Sequence, residues 1–533
     1  MFELIYRKFG NRLNTKDDCL SGLTVALALV PEAVAFAIIA GVPPLVGLYG
    51  AFMVCLVTAI FGGRPGMISG ATGALAVIMV GLVKLGNERG LALGLGEDMG
   101  LQYLFAALLL MGVIQLVFGV LKLGRFVRLI PQPVMFGFVN GLAIVIFEAQ
   151  IPMFTEMPIE HGAAWLQSGS LVAMIGLVVL TMAIIQYFPK ITTQVPSSLV
   201  AIIVVSAIVI GFGVDTLSVG TLSTISGSLP TFAIPSVPLN MDTLIFIAPF
   251  SFILAAVGLI ESLMTLTLID ELTQTRGNSN RESLGQGLAN IVNGFFGGMG
   301  GCAMIGQSII NIRSGGRGRL SGITAGACLL FFILFTGSLI ERIPLAALTG
   351  VMFMVVIGTF EWSSFRILRK IPMMDAFVII FVSAVTVFTH NLALAVISGV
   401  LISALGFAWK SAHHILRNAE IREDGVKVYY LHGPLFFGST TDFSSEFNPA
   451  SDPDEVIIDF KDSRVWDHSG LEAIHKLAER YREENKVLHL QHLSPNCRET
   501  LRKAGEMVDI VVLPDDPTYQ VARIHEKVLL KDK

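Results

Sequence analysis

GGMGGCAMIGQSIINIRSGG, residues 297–316, starts with glycines, runs on as a brief apolar stretch and ends in a basic loop. Glycine is a poor choice for a spanning helix, because it loses the most conformational freedom on folding. Irregular backbone at membrane depth survives only where protein buries it or where it lines a cavity. ISGATGALAVIMV, residues 68–80, repeats the design with a Gly- and Thr-rich start followed by a short helix. Each segment reads as a half-helix whose first N–H groups and positive dipole end point into a cavity. Two half-helices meeting from opposite sides make an anion site and belong to inverted repeats. For either segment alone, glycine used for close helix packing is the competing reading. Their matching positions, third and tenth in a series of apolar segments, favour the cavity.

That series sets the frame. The chain has 533 residues, of which 53% are hydrophobic and 15% charged, well below the roughly 25% charge of a soluble protein. Apolar segments of about 20 residues can cross a bilayer. About fourteen candidates centre near Leu27, Val54, Val77, Leu109, Ala143, Val178, Val204, Leu254, Ile291, Ile309, Leu330, Val351, Ile380 and Ile402. With both termini cytoplasmic, the inside loops gather Arg64, Arg125, Lys190, Arg276, Arg281, Arg317, Arg319, Arg366 and Lys410 among others. The outside holds only Lys84, Arg89 and Arg342. This is the asymmetry of the positive-inside rule. The stretch from Val214 to Thr243 has no basic residue and reads as an exterior loop. A multi-pass protein of a bacterial inner membrane is expected, with no removable signal peptide. The five cysteines are scattered, without metal spacing, and read as small packing residues.

Two further segments carry chemistry. In PEAVAFAIIAGVPPLVGLYG, residues 31–50, Pro31 removes a helix hydrogen bond in mid-span beside Glu32. Glu32 can face the cavity, protonated or paired with a cation. In FILAAVGLIESLMTLTLIDELTQT, residues 252–275, Glu261 lies deep in apolar sequence. A carboxylate there costs about 2.5–3.5 kcal/mol, so it needs a cavity or a partner. Thr265 follows one turn later on the same face. Such a pair offers oxygen ligands to a small hard cation; a proton-carrying Glu261 and a merely structural, hydrogen-bonded Glu261 are the alternatives.

From about Arg417 the composition turns charged, giving two expected domains, a membrane part at 1–416 and a soluble part at 417–533. GVKVYYLHGPLFFG, residues 425–438, alternates like a strand pair, and EVIIDF, residues 455–460, reads as a buried strand. An amphipathic helix from Leu471 to Glu484 leads to another strand. Strands alternating with helices imply a small α/β domain. It holds no phosphate loop or nucleophile elbow, so it reads as regulatory or structural.

Taken together, PEAVAFAIIAGVPPLVGLYG, SNRESLGQGLANIVNGFFGG at 279–298, NIRSGGRGRLSGI at 311–323 and the VIIDF…DHSG pair resemble the sulfate permease (SulP) family of anion transporters with a C-terminal STAS domain. The resemblance covers nearly the whole chain. It implies a polytopic α-helical membrane protein of fourteen spans in two inverted repeats of seven, divided into a core and a gate, usually a homodimer in membrane lipid, with a cytoplasmic α/β STAS domain open to regulatory protein partners. Within the family the core is most similar to sodium-dependent bicarbonate transporters of cyanobacteria, which have an acidic residue and a Thr one turn later in the eighth span, as Glu261 and Thr265 stand here. The likeness implies a sodium site at Glu261 and Thr265 completed by backbone at Ala303, Met304 and Ile305. It implies an anion site formed by Phe36, Thr72, Gly73, Met304, Ile305, Gly306 and Gln307. Two departures bear on coupling. Glu32 stands where the family usually has Gln, and Gln307 where it often has Arg, so positive character near the anion is reduced. In the STAS loop, Asp-Ser-Ser-Gly of related regulators becomes Asp467-His468-Ser469-Gly470, which leaves Ser469 as a phosphorylation candidate.

The expected activity is therefore inward secondary transport of a small oxyanion, bicarbonate or sulfate, with sodium as the co-transported ion. The alternatives are a proton-coupled sulfate or dicarboxylate symporter, an anion exchanger or channel, and a membrane-anchored signalling protein. A carboxylate in the path argues against a channel. No nucleophile, metal or cofactor constellation points to an enzyme, and nothing points to nucleic acid.

Overall fold

The computed structural model describes residues 15–96, 98–124, 131–155, 165–192, 195–222, 228–238, 240–389, 392–412, 416–423, 425–493 and 511–512. The chain divides into two compact units, Met1–Val400 and Leu401–Lys533.

The first unit is helical. Its main helices are α1 (Thr15–Ile39), α2 (Pro44–Phe61), α3 (Gly73–Ala92), α4 (Met99–Val120), α5 (Gln132–Glu148), α6 (Ser168–Tyr187) and α7 (Ser197–Phe212). A second series follows: α8 (Met241–Thr273), α9 (Ser279–Phe296), α10 (Ile305–Arg313), α11 (Arg319–Phe335), α12 (Leu345–Thr359), α13 (Met373–Thr389) and α14 (Leu392–Ala412), the last crossing the boundary between units. All fourteen candidate centres lie on these helices. Among the described residues, eight helices are long and apolar enough to cross a membrane, and α7, α11 and α13 are shorter apolar helices.

Three local expectations change. α3 is not short: it runs 20 residues, through Lys84, Glu88 and Arg89. Those charges end the hydropathy signal but not the helix, and the Arg89 guanidinium stacks over the Phe246 ring at 4.9 Å, a favourable cation–aromatic contact. α1 passes through Pro31 without interruption; a proline inside a packed membrane helix is tolerated where neighbours re-satisfy the freed carbonyl. The third correction concerns the second unit and is given below.

Helices of the two series intermix. α1–α4 pack with α8, α9 and α11, whereas α5–α7 pack with α12 and α13. α4 and α9 approach each other closely. A Cβ on Gly112 would lie 2.6 Å from the Gly287 carbonyl oxygen, and one on Gly287 2.7 Å from that of Gly112. Only glycine permits this spacing, so the glycines of the 279–298 motif serve helix packing. At one end of the bundle, arginines hold the C-terminus of α2. Arg319 donates to the carbonyls of Ala59 and Ile60 at 2.7 and 3.0 Å, Arg281 donates to that of Phe61 at 3.0 Å, and Arg64 pairs with Asp270 at 3.1 Å. At the opposite end of α9, the 228–238 segment is tied down. The Ala233 N–H donates to Phe295 O at 2.7 Å, and the Tyr49 hydroxyl donates to Ser228 O at 2.7 Å.

The second unit contains a five-stranded sheet: β3 (Leu416–Ile421), β4 (Lys427–Leu435), β5 (Glu455–Val465), β6 (Val487–Gln491) and β7 (Val511–Val512), the labels β1 and β2 being kept for two short strands of the first unit, Ser69–Ala71 and Gly301–Ala303. β3 is antiparallel to β4, and β4 through β7 are parallel. Residues 425–438 thus supply one strand, not two; its register shifts between Tyr430 and His432, and its antiparallel partner lies upstream. A bulged strand and a hairpin share the same alternation, which is why the sequence pattern misleads. α15 (His468–Glu483) buries Leu471, Ile474, Leu477 and Tyr481 in one core with Ile458, Phe460 and Leu490. Asp467 caps it, its carboxylate accepting from Gly470 N at 2.9 Å. Buried Asp452 accepts from Lys427 at 2.6 Å and from the Tyr429 and Tyr481 hydroxyls.

Candidate functional site

The site is organised by a ladder of three residues a side. β1 pairs antiparallel with β2: Ser69 faces Ala303, Gly70 faces Cys302 and Ala71 faces Gly301. Each strand leads directly into a helix, β1 into α3 and β2 into α10. Antiparallel pairing sends the two helices away from opposite ends of the ladder, which spans about 10 Å. Both N-termini, with their partial positive charge, therefore face the ladder. Thr72 and Met304 occupy the N-cap positions in extended conformation, and neither side chain caps its own helix.

In an antiparallel ladder alternate residues turn their backbone groups away from the partner strand. Side chains of α8 and α9 satisfy those of β2. The Gly301 N–H donates to Asn290 Oδ1 at 3.0 Å, Asn290 Nδ2 donates to Gly301 O at 3.1 Å, and the Ala303 N–H donates to Ser262 Oγ at 3.0 Å. Asn290 ends a polar stripe on α9. Gln286 donates to Ser69 Oγ at 2.9 Å and to Glu282 Oε1 at 2.8 Å, and Glu282 Oε2 accepts from Gly63 N at 2.7 Å. The ladder is thus hydrogen-bonded on both sides to fully buried side chains.

Glu261 lies mid-way along α8 and reaches the ladder. The Cys302 thiol donates to Glu261 Oε2 at 2.9 Å, and the Thr72 hydroxyl lies 3.2 Å from the same sulfur. The Thr265 hydroxyl donates to Glu261 O at 2.8 Å and lies 3.4 Å from Ala303 O. The Thr265 hydroxyl and the Ala303 carbonyl thus lie together, the carboxylate meets the neighbouring Cys302, and hard oxygen donors of this kind suit a small cation. Because the threonine proton is directed at its own helix, its two lone pairs face away from that bond.

The other expected residues fall around the helix starts. Phe36 is buried, and a Cβ on Gly73 would lie 2.8 Å from the Phe36 ring and from the Ile146 side chain. Phe36 and Ile146 therefore wall the first turn of α3. Met304 is buried and Ile305 half-buried, whereas Gly306 is exposed and a Cβ there would meet open space. Glu32, one turn before Phe36 on α1, accepts a hydrogen bond from the Gln307 amide, and both are buried. The two departures from the family pattern are thus partners of each other.

Thr72, Glu261, Thr265 and Ala303 come together around Cys302; Glu32 joins Gln307, and Phe36 joins Gly73. Sequence reasoning missed Cys302, Ser262, Asn290 and Ile146. The polar series Glu282, Gln286, Asn290 at four-residue spacing was a readable signal for Asn290. Nothing in the sequence distinguishes Cys302 from a packing cysteine, because its role depends on the pairing of two strands far apart in the chain.

Known proteins place these features in context. Residues 16–383 match the model of the sulfate permease family, and residues 419–520 match the STAS domain. A putative sulfate transporter of Bacillus subtilis (strain 168), YbaR, is 46% identical over 503 residues, covering 94% of this chain and 99% of its own. The bicarbonate transporter BicA of Picosynechococcus sp. is 30% identical over 481 residues, covering 84% and 83%. The structure of the murine Slc26a9 anion transporter in its inward-facing state matches the fold over 98% of this chain and 92% of its own, with a TM-score of 0.78 at 18% identity. The paired strand–helix starts, the mixed helical bundles and the α/β tail are those of a multi-pass membrane transporter, and the chain belongs to the sulfate permease family, with a STAS domain at its C-terminal end.

Proposed function

We propose that this chain is a secondary active transporter that carries bicarbonate or sulfate inward, driven by a cation bound at Glu261 and Thr265. The observation that carries the reading is the β1–β2 ladder. It aims two helix N-termini at one place and brings Thr72 and Glu261 to the same sulfur. Two helix ends supply about half a positive charge each, which an ionised Glu261 largely offsets. An anion therefore binds well only when a cation neutralises Glu261. Sodium is the first choice, because the donors are a carboxylate, a hydroxyl and a carbonyl. The relatives' names supply the two anions. Both termini are placed on the cytoplasmic side, on the strength of the basic-residue asymmetry.

The test is uptake of labelled bicarbonate and of labelled sulfate into proteoliposomes under an inward sodium gradient, an inward proton gradient, or neither. Uptake of one anion driven by sodium supports the reading. Uptake driven by protons alone assigns Glu261 a proton in place of sodium. Uptake indifferent to both gradients replaces symport by exchange.

A further inference from the structure

We infer that the STAS unit docks on the anionic headgroups of the leaflet from which α14 emerges, through an edge formed by Phe437, Trp466, Lys461 and Arg464. The docking requires that α14 spans the bilayer and is independent of the symport reading. Two aromatic side chains are out of place for a soluble domain. Phe437 is 67% exposed and Trp466 60% exposed, although the same unit buries Phe443, Phe447 and Phe460. Large apolar side chains left out together mark a contact surface. Neither belongs to a loosely held loop. The Phe437 N–H donates to Asp467 Oδ2 at 2.9 Å, and the Trp466 N–H donates to Leu435 O at 2.9 Å. Buried Phe436 links them, its ring centroid 5.2 Å from that of Phe437 and 6.1 Å from that of Trp466.

What covers the two rings follows from where they stand. A Cβ on Gly438 would lie 3.3 Å from the Ala412 side chain, so the ring cluster adjoins the last residue of α14. The final turns of that helix expose Leu405, Phe407 and Trp409, as suits a segment set in lipid. Trp409 lies three residues before Ala412, about 4.5 Å along the axis, and tryptophan collects at the level of the headgroups. The charges fit the same layer. Lys410 in the last turn of α14 is exposed, as are Lys461 and Arg464. Lys461, Arg464 and Trp466 border a hollow of about 300 Å³, with room for a phosphate headgroup. The carboxylates nearby have partners of their own. Asp462 faces His432 at 3.5 Å, and Asp467 accepts from the N–H groups of Phe437 and Gly470. Aromatic rings at the acyl boundary with cations at the phosphates are the pattern of an interfacial anchor.

The experiment uses the full-length chain with Trp165, Trp362 and Trp409 changed to Phe, which leaves Trp466 as its one tryptophan. All three replaced residues are exposed, so the core stays as it is. The protein is reconstituted in bilayers of phosphatidylcholine, alone or mixed with phosphatidylglycerol. Lipid brominated near its headgroup reports contact with the membrane, and acrylamide reports access from water. In the anionic bilayer the brominated lipid should quench Trp466, and acrylamide should reach it less than in detergent. High salt should weaken the lipid quenching. Lys461→Ala with Arg464→Ala should lower the ratio of docked to free protein by about 5-fold per charge removed. Acrylamide access as free in bilayers as in detergent, or lipid quenching equal in the two bilayers, overturns the inference. Shielding from acrylamide without quenching by lipid also overturns it, and assigns the edge to a protein surface. Hydrogen exchange of the unsubstituted protein asks the same question. The segments around Phe437 and Trp466 should exchange more slowly in the anionic bilayer, and equal exchange in the two bilayers contradicts the docking.

Discussion

Gln307 and Glu32 form a pair, the amide of one donating to the carboxylate of the other. An arginine introduced at 307 would meet that carboxylate first and surrender most of its charge to it. Gln307→Arg alone should therefore tighten sodium-free anion binding only slightly. The double change with Glu32→Gln should tighten it by more than the two single changes combined, with a coupling of about 0.5–3 kcal/mol. A double-mutant cycle on bicarbonate and sulfate affinity measures this, and simple additivity would mean that residue 307 acts independently of Glu32. Glu261 and Thr265 were legible at this scale, since a carboxylate among apolar residues needs a reason. Cys302 was not, since its partner Thr72 lies 230 residues away.

Among the elements, the three-residue strands decide the site and were invisible beforehand. Three residues carry no periodicity, and a ladder joining positions near 70 and 302 leaves no local trace. The glycine-rich starts revealed that helices begin there, but not that the backbone before them pairs. The length of α3 was misread for a different reason, since its last turns carry charge. The ladder's dependence on α9 can be checked. Asn290→Ala leaves the Gly301 N–H and C=O without their partner, and each orphaned buried group costs about 1–3 kcal/mol. The unfolding temperature of the purified protein should fall, and anion affinity should fall with it. Normal stability and affinity in Asn290→Ala would show that the β1 pairing alone holds β2. In the STAS unit, burial pushes the Asp452 carboxyl up, but hydrogen bonds from Lys427, Tyr481 and Tyr429 outweigh it and hold the group below the usual carboxylate range. The Tyr481 hydroxyl is pushed up, by burial first and by Asp452 second. The Asp452 contribution is present above the ordinary carboxylate value of about 3.9 and is lost as pH falls through its lowered folded value. The Tyr481 contribution is present below about 10 and is lost as pH rises through its raised folded value. Amide exchange across the STAS strands of the full chain should show this window, and Asp452→Asn should flatten its acid side; an unchanged acid limb would remove Asp452 from the account.

For the whole molecule, the spacing of apolar segments gave the helical series, and the shift in composition after the last of them gave the α/β tail. Which helices share a bundle was not legible, because interleaving of α1–α4 with α8, α9 and α11 leaves no mark in hydropathy. That interleaving places the carboxylate of Glu261, in the second series, beside Thr72 at the start of α3 in the first. The measurement that tests this most directly is the dissociation constant of bicarbonate and of sulfate as a function of sodium concentration, in wild type and in Glu261→Gln. The account requires one anion to bind more tightly as sodium rises in wild type. In Glu261→Gln, which removes the charge and keeps the shape, it requires that dependence to vanish. Equal sodium dependence in the two proteins would contradict it.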